Sequence, residues 1–274
     1  MENISRKIEF NCLNNTRDLG GMRTADGACI KPGLLFRSGH LFNADEADLM
    51  KLNSLKLQRI YDFRSRAEIN EKPDPVINGA VNIHMPITRD ITKGITRDGE
   101  SDKRATDMLL FKAVDNPDFA VNYMQRTYSH FVTDDFAMEQ YGRFLNSLAE
   151  PECGPVLWHC TAGKDRAGFA GVLIEEVLEI PYEDIIADYL ATERNLAKEV
   201  DLIIKHIKKT NSSPQVEESA RALFGARREY IEGSYKLVNE NYGGMMNFIK
   251  KGLGISEDTI KNLKNKYLTG GNYV

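Results

Sequence analysis

The seven residues from Cys160 to Arg166 constrain this chain more than any other segment, because of what stands on either side of them. Before them comes the apolar run Val156–His159, which reads as a buried strand. After them Phe169, Leu173, Val177 and Ile180 recur at helical spacing and stop before Pro181. Strand, tight loop and helix together make an anion-binding layout. The first amides of a helix have no partner inside it, and successive loop amides can turn inward as a nest. The backbone of Thr161, Ala162, Gly163, Lys164, Asp165 and Arg166 is therefore expected to hold a phosphate dianion. Gly163 is expected to let the backbone turn tightly and approach the ligand.

The same donors, with the helix dipole and the Arg166 guanidinium, favour the thiolate of Cys160 over its thiol and make it a nucleophile. Arg166 lies across the loop, where its planar fork suits two equatorial phosphate oxygens better than a lysine would. Stabilising the charge on those oxygens is the main catalytic need in phosphoryl transfer. Asp165 stands where a carboxylic acid can protonate a leaving oxygen, and equally where a first-turn carboxylate merely offsets the helix dipole. A nucleotide-binding loop is excluded, since Trp158 occupies the place of its first glycine and Asp165, not Ser or Thr, follows Lys164. A sulfur-transfer or redox role for Cys160 leaves Arg166 without a purpose.

Elsewhere, short apolar runs at Leu34–Arg37, Gln58–Phe63, Ala80–Pro86 and Pro155–His159 predict strands. A helix is expected from Asn43, with Glu46 completing a capping box and Leu49, Leu52 and Leu55 on its apolar side. Met124, Tyr128 and Phe131, then Tyr141, Phe144, Leu145 and Leu148, predict two packed helices. Val200, Ile203, Ile204 and Ile207 continue the helical pattern, a loop surrounds Pro214, and a last short helix begins near Ser256. The expected fold is a single α/β domain over residues 1–274: a central, mostly parallel sheet flanked by helices, with a helical C-terminal third. The polar segment 88–107 is expected to be a flap over the site or a solvated surface insertion, and Asp90 within it is a competing acid.

A formal charge of -4 argues against nucleic-acid or membrane-surface partners, so an anionic ligand must meet a local positive site. The first twenty residues carry no apolar core of a signal peptide, and no later run reaches membrane-spanning length. The four cysteines show neither a C-x-x-C pair nor zinc-like spacing with histidine, which predicts no metal and no disulfide scaffold. Reduced thiols in a cytoplasm, with no stable membrane insertion, are the expectation.

The C-x5-R string HCTAGKDRAG resembles the loop of the protein tyrosine phosphatase superfamily, and more narrowly that of the bacterial atypical tyrosine/lipid phosphatases, which reads HCxAGKDRTG. NTRDLGG (Asn15–Gly21), FRSGHL (Phe36–Leu41) and DFRSRAE (Asp62–Glu68) are similar to further strings of that family. The resemblance implies a tyrosine-phosphatase-like fold with no cofactor. It also implies hydrolysis of phosphotyrosine, phosphoinositide or phosphoserine/threonine monoesters through a phosphocysteine. It assigns Cys160 as nucleophile and Arg166 as phosphate clamp, and lets Lys164 add positive potential for a second phosphate or an inositol ring. The family usually has Ser or Thr after the arginine, where the hydroxyl helps sulfur leave. Ala167 stands there in this chain, which predicts slow hydrolysis of the phosphoenzyme and suggests, as the alternative function, a phosphate-binding module with weak turnover.

Several residues have plainer readings. His159 is expected to orient the loop backbone rather than act as a base. Arg64 is placed to contact substrate or to form a structural ion pair. Asp18 and Gly20 predict a turn. Cys153 reads as a small buried hydrophobe or as an oxidation partner for Cys160. His40, His84, His130 and His206 carry no assignment.

Overall fold

The computed structural model describes residues 3–89, 116–209 and 213–270. Six strands form one sheet: β1 (Arg6–Lys7), β2 (Arg17–Asp18), β3 (Leu35–Ser38), β4 (Arg59–Asp62), β5 (Val81–His84) and β6 (Val156–His159), in the order β1-β2-β3-β6-β4-β5. Pairings among β3, β6, β4 and β5 are parallel, while β1 and β2 join antiparallel at one edge. The sheet is thus mostly parallel, as expected. The four strands legible in the sequence are present, with ends displaced by one or two residues. β1 and β2, two residues each, are too short to show any period.

The helices are α1 (Glu46–Ser54), α2 (Arg66–Glu71), α3 (Pro117–Thr133), α4 (Asp135–Ala149), α5 (Arg166–Val177), α6 (Tyr182–Ile207), α7 (Val216–Phe224), α8 (Arg228–Tyr242) and α9 (Glu257–Tyr267). Between α8 and α9, the turn Met245–Asn247 runs into a π-helical turn, Phe248–Gly252. α1 corrects the expectation at Asn43. Its N-cap is Asp45, whose side chain accepts from Asp48 N at 2.8 Å, because this later carboxylate satisfies the first turn directly. The capping box occurs instead on α2, where Ser65 and Glu68 exchange hydrogen bonds.

Alternate strand residues enter two cores, as the pleat requires. Leu35, Tyr61, Val156 and Trp158 join the large core beneath α3 to α6, whereas Phe36, Ile60 and Leu157 pack with Leu52 of α1 on the other face. Helices therefore cover both faces. β6 lies between β3 and β4 with His159 in register with Ser38 and Asp62, so the residues after His159 leave the sheet at the carboxyl ends of three parallel strands. Open α/β sheets bind ligands at that edge. Among the described residues, no helix is long and apolar enough to cross a membrane. Thr88 and Arg89 belong to the described chain; Asp90 and the rest of the 88–107 segment lie outside it.

Candidate active site

Cys160 leaves the end of β6 buried, and the loop after it returns into α5 at Arg166. Among the described residues, no protein acceptor meets the amides of Thr161, Ala162, Gly163, Lys164, Asp165 or Arg166. Six successive unpaired N–H groups are costly unless a ligand or solvent takes them. Gly163 has φ +66, and a Cβ there would collide with the Ser38 carbonyl and come 2.7 Å from Gly39 N. The close approach that requires glycine is thus to the end of β3, not to the ligand, and it presses the loop against the sheet edge.

Arg166 projects from the first turn of α5. Its Nη1 donates to Glu68 Oε2 and its Nη2 to Glu68 Oε1, each at 2.7 Å, and Nη2 also reaches Thr161 Oγ1 at 3.2 Å. The Thr161 hydroxyl itself donates to Glu68. Burial opposes ionisation of Glu68, but Arg166, Thr161 and the Ser65 amide outweigh it and hold the carboxyl far below the usual range. Burial likewise works against the Arg166 cation, yet Glu68 and the nearby Cys160 raise it above its ordinary value. The guanidinium expected to face phosphate alone is therefore already clamped on one side by a carboxylate. Glu68 went unnoticed in the sequence, although the S-x-x-E capping box of α2 was a usable signal.

Asp165, at the N-cap of α5, makes no side-chain cap hydrogen bond. Its Oδ1 instead accepts from Tyr128 OH at 2.9 Å, and that phenol shares a 2.7 Å hydrogen bond with Tyr189 OH. Burial first, then Asp165 and Tyr189, push Tyr128 well above its ordinary value, so the hydroxyl stays protonated. Lys164 departs from the reading as a second phosphate contact. Its ammonium is buried and donates to the carbonyls of Leu223 at 2.6 Å and Gly225 at 3.1 Å, with Asp165 Oδ1 3.4 Å away. Carbonyls freed at the C-terminus of α7 attract the cation that the sequence aimed at the ligand.

Arg64 forms ion pairs, one of the two roles expected of it: it is buried and meets Asp62 at 2.7 Å, Asp74 at 2.6 Å and Lys72 O at 2.8 Å. His159 is buried beside this cluster. Its Nδ1 lies 3.3 Å from Cys160 O, and its Nε2 lies 3.1 Å from Asp74 Oδ2 without hydrogen-bond alignment. The convergence of Asp62, Asp74 and His159 already contains a positive charge, the Arg64 guanidinium. Cys153 precedes β6 and Cys160 follows it, so the strand holds the two sulfurs at opposite ends and they do not pair; both are free. Asp18 does shape the turn, accepting from Gly20 N and Gly33 N at 2.8 Å each.

Beside the loop lies a cavity of about 450 Å³, bounded by Thr161, Ala162 and Asp165 on one side and by Met124, Val200 and Phe224 on another. A polar anion seat thus adjoins a chamber of mixed lining, where Asn14, His40, Lys72 and Glu199 stand with the apolar side chains.

Comparison with known proteins agrees with this arrangement. A candidate tyrosine-protein phosphatase of Cupriavidus necator is 28% identical over 272 residues, covering 96% of this chain and 89% of that protein. The triple specificity protein phosphatase PtpB of Mycobacterium tuberculosis is 28% identical over 268 residues, covering 91% of this chain and 95% of its own. A tyrosine-protein phosphatase of Nostoc commune shares 30% identity over 132 residues, 46% of this chain and 43% of that one. Residues 8–269 match the tyrosine phosphatase family model. With nearly its whole length matched and a cysteine-to-arginine loop at the sheet edge, the chain belongs to the tyrosine phosphatase family and is a phosphoric monoester hydrolase.

Proposed function

We propose that this chain removes phosphate from phosphotyrosine, and from other monoesters that fit the same cavity, through a cysteinyl-phosphate intermediate. The observation that carries this reading is the run of six amides that meet no protein acceptor among the described residues, between a buried cysteine and a partly exposed arginine. Phosphate oxygens accept from those amides and from Arg166, which exchanges its longer contacts to Thr161 Oγ1 at 3.2 Å and Phe63 O at 3.4 Å for them. The Cys160 thiolate attacks phosphorus, the bond from phosphorus to the ester oxygen breaks, and Asp165 gives that oxygen its proton. Water then attacks the phosphocysteine while the Asp165 carboxylate takes its proton, and the sulfur departs as thiolate. Asp165 is favoured as the acid because Tyr128 occupies one of its oxygens and directs the group toward the cavity.

The apolar part of the chamber beside the loop, formed by Met124, Val200 and Phe224, suits an aryl leaving group. PtpB of Mycobacterium tuberculosis carries triple specificity in its name, which supports a substrate range wider than phosphotyrosine alone. Phosphoinositides remain in the proposed range through the anion seat itself; Lys164, tied to Leu223 and Gly225, does not read a second phosphate in this arrangement.

The test is release of phosphate from aryl phosphates, phosphopeptides and phosphoinositides by the parent chain and by Cys160→Ser, with orthovanadate as inhibitor. Sustained, vanadate-sensitive turnover that disappears in Cys160→Ser is expected. Tight phosphopeptide binding without phosphate release would instead mark a binding module, the reading that the buried Ala167 favours.

A further inference from the structure

Among the described residues the loop amides meet no protein acceptor, whereas the loop carbonyls are held. Each carbonyl from Cys160 to Arg166 has a donor of its own. At the start, His159 Nδ1 lies 3.3 Å from Cys160 O and His40 N donates to Thr161 O at 3.1 Å. At the end, Phe169 N donates to Asp165 O at 2.8 Å and Tyr141 OH to Arg166 O at 3.1 Å. The middle of the loop has no such neighbours and is served by two distant side chains. Asn15 Nδ2 donates to Ala162 O at 3.0 Å, while Arg37 donates through Nε to Gly163 O at 3.0 Å and through Nη2 to Lys164 O at 3.2 Å.

In a trans peptide the C=O of one residue and the N–H of the next point in opposite directions. Drawing the carbonyls of Ala162, Gly163 and Lys164 outward therefore turns the amides of Gly163, Lys164 and Asp165 the other way. We propose that Asn15 and Arg37 are positioning residues that aim the central loop amides at the phosphate, and so set both anion affinity and the thiolate character of Cys160. The inference rests on the phosphatase reading above and assigns it two further residues.

Both side chains are themselves held. Arg17 and Asn195 donate to Asn15 Oδ1, which fixes the amide with its nitrogen toward the loop. Asn15 has φ 58, a conformation that glycine would adopt more easily, yet the position carries a side chain whose donor is used. Arg37 is buried, with Nη2 3.3 Å from Thr192 Oγ1 and Nη1 3.6 Å from Asp188 Oδ2. Gly168 leaves it room, since a Cβ there would lie 2.7 Å from Arg37 Nη2. Arg17 reaches the same Asp188 at 3.4 Å and the same Thr192 at 3.1 Å. Burial pushes the neighbouring Glu175 carboxyl well above its usual range, while Arg17 and Arg37 hold Asp188 below its own.

Asn15→Gly removes the side-chain donor, leaves the backbone conformation open and changes no charge; Arg37→Lys removes the fork. In the full chain, alkylation of Cys160 by iodoacetate is followed against pH by mass spectrometry of its peptide, alongside orthovanadate inhibition and thermal melting. In Asn15→Gly the alkylation midpoint is expected to rise by about one pH unit and vanadate to bind about tenfold more weakly. The melting temperature is expected to fall modestly, because Arg17 and Asn195 lose their acceptor. Arg37→Lys is expected to show the same two changes. Should Arg37→Lys fail to fold because Asp188 loses its partner, Asn15→Gly decides alone. An unchanged midpoint and vanadate affinity in Asn15→Gly, with or without a lower melting temperature, would overturn the proposal by leaving Asn15 a structural role only. A parent chain whose Cys160 shows no vanadate-protected alkylation would overturn the phosphatase reading and this inference with it.

Discussion

Glu68 and Arg166 meet fork to fork, through two hydrogen bonds of 2.7 Å each, and so join the first turn of α5 to the first turn of α2. The geometry fixes the plane of the guanidinium as well as its position. Two of its five N–H groups serve Glu68 at 2.7 Å, while a second N–H on each terminal nitrogen makes a longer contact, to Phe63 O at 3.4 Å and to Thr161 Oγ1 at 3.2 Å. An arginine held in place before substrate arrives loses less freedom when phosphate binds, which is how a remote carboxylate adds to catalysis.

Glu68→Gln replaces a charged fork with a weaker one, and kcat/KM for an aryl phosphate is expected to fall roughly ten- to a hundredfold. Because Arg166 holds the Glu68 carboxyl far below its ordinary value, the pair stabilises the fold above the unfolded carboxylate pKa and is lost as pH falls through the lower folded value. The stability deficit of Glu68→Gln is therefore expected in full at neutral pH and narrows in strong acid. Denaturant melts across that range, with steady-state kinetics, check both.

Tyr128→Phe removes the hydrogen bond to Asp165 Oδ1 while keeping the buried ring. With an alkyl phosphate, whose leaving oxygen needs a proton, turnover is expected to fall about fivefold. With p-nitrophenyl phosphate, whose leaving group departs unprotonated, the loss should be smaller. Equal losses on both substrates would remove Tyr128 from proton delivery.

Ala167 is fully buried in the first turn of α5, at the position where the motif that this loop resembles, HCxAGKDRTG, has threonine. Rapid-quench kinetics of the parent should show a burst of leaving group followed by slower steady turnover. Ala167→Thr should speed that second phase, and Ala167→Ser should do so with less added bulk. No burst, together with no gain from either substitution, would refute slow hydrolysis of the phosphoenzyme.

Glu175 has the opposite sign to Glu68. Its raised folded-state value means that the native state keeps a proton the unfolded chain releases, so its contribution to stability is greatest at low pH and declines as pH rises. Glu175→Gln removes that decline. The variant is expected to gain on the parent in denaturant melts as pH rises above the ordinary carboxylate range, and a constant difference would show that Glu175 is ionised in the fold.

Much of the architecture was legible because its signals are local. A strand such as Val156–His159 shows in consecutive residues, and the stripe Phe169, Leu173, Val177 shows in the period of one helix. The Asn43 cap was misplaced for an equally local reason: two capping side chains stood within two residues of each other, and only the backbone path selects between them.

The sequence alone determined that a cysteine, a run of amides and an arginine would share one loop between a strand and a helix, because backbone geometry over a few residues brings them together whatever the rest of the chain does. Tertiary structure decided the partners of those groups: Glu68 for Arg166, Tyr128 for Asp165, Leu223 and Gly225 for Lys164, and Asn15 and Arg37 for the loop carbonyls. Those contacts cross from 37 to 147 positions of chain, with the loop flanked on either side by β3 and β4. Hydrogen bonds form between whichever donors and acceptors packing brings within about 3 Å, and strand order, not residue spacing, decides which ones those are.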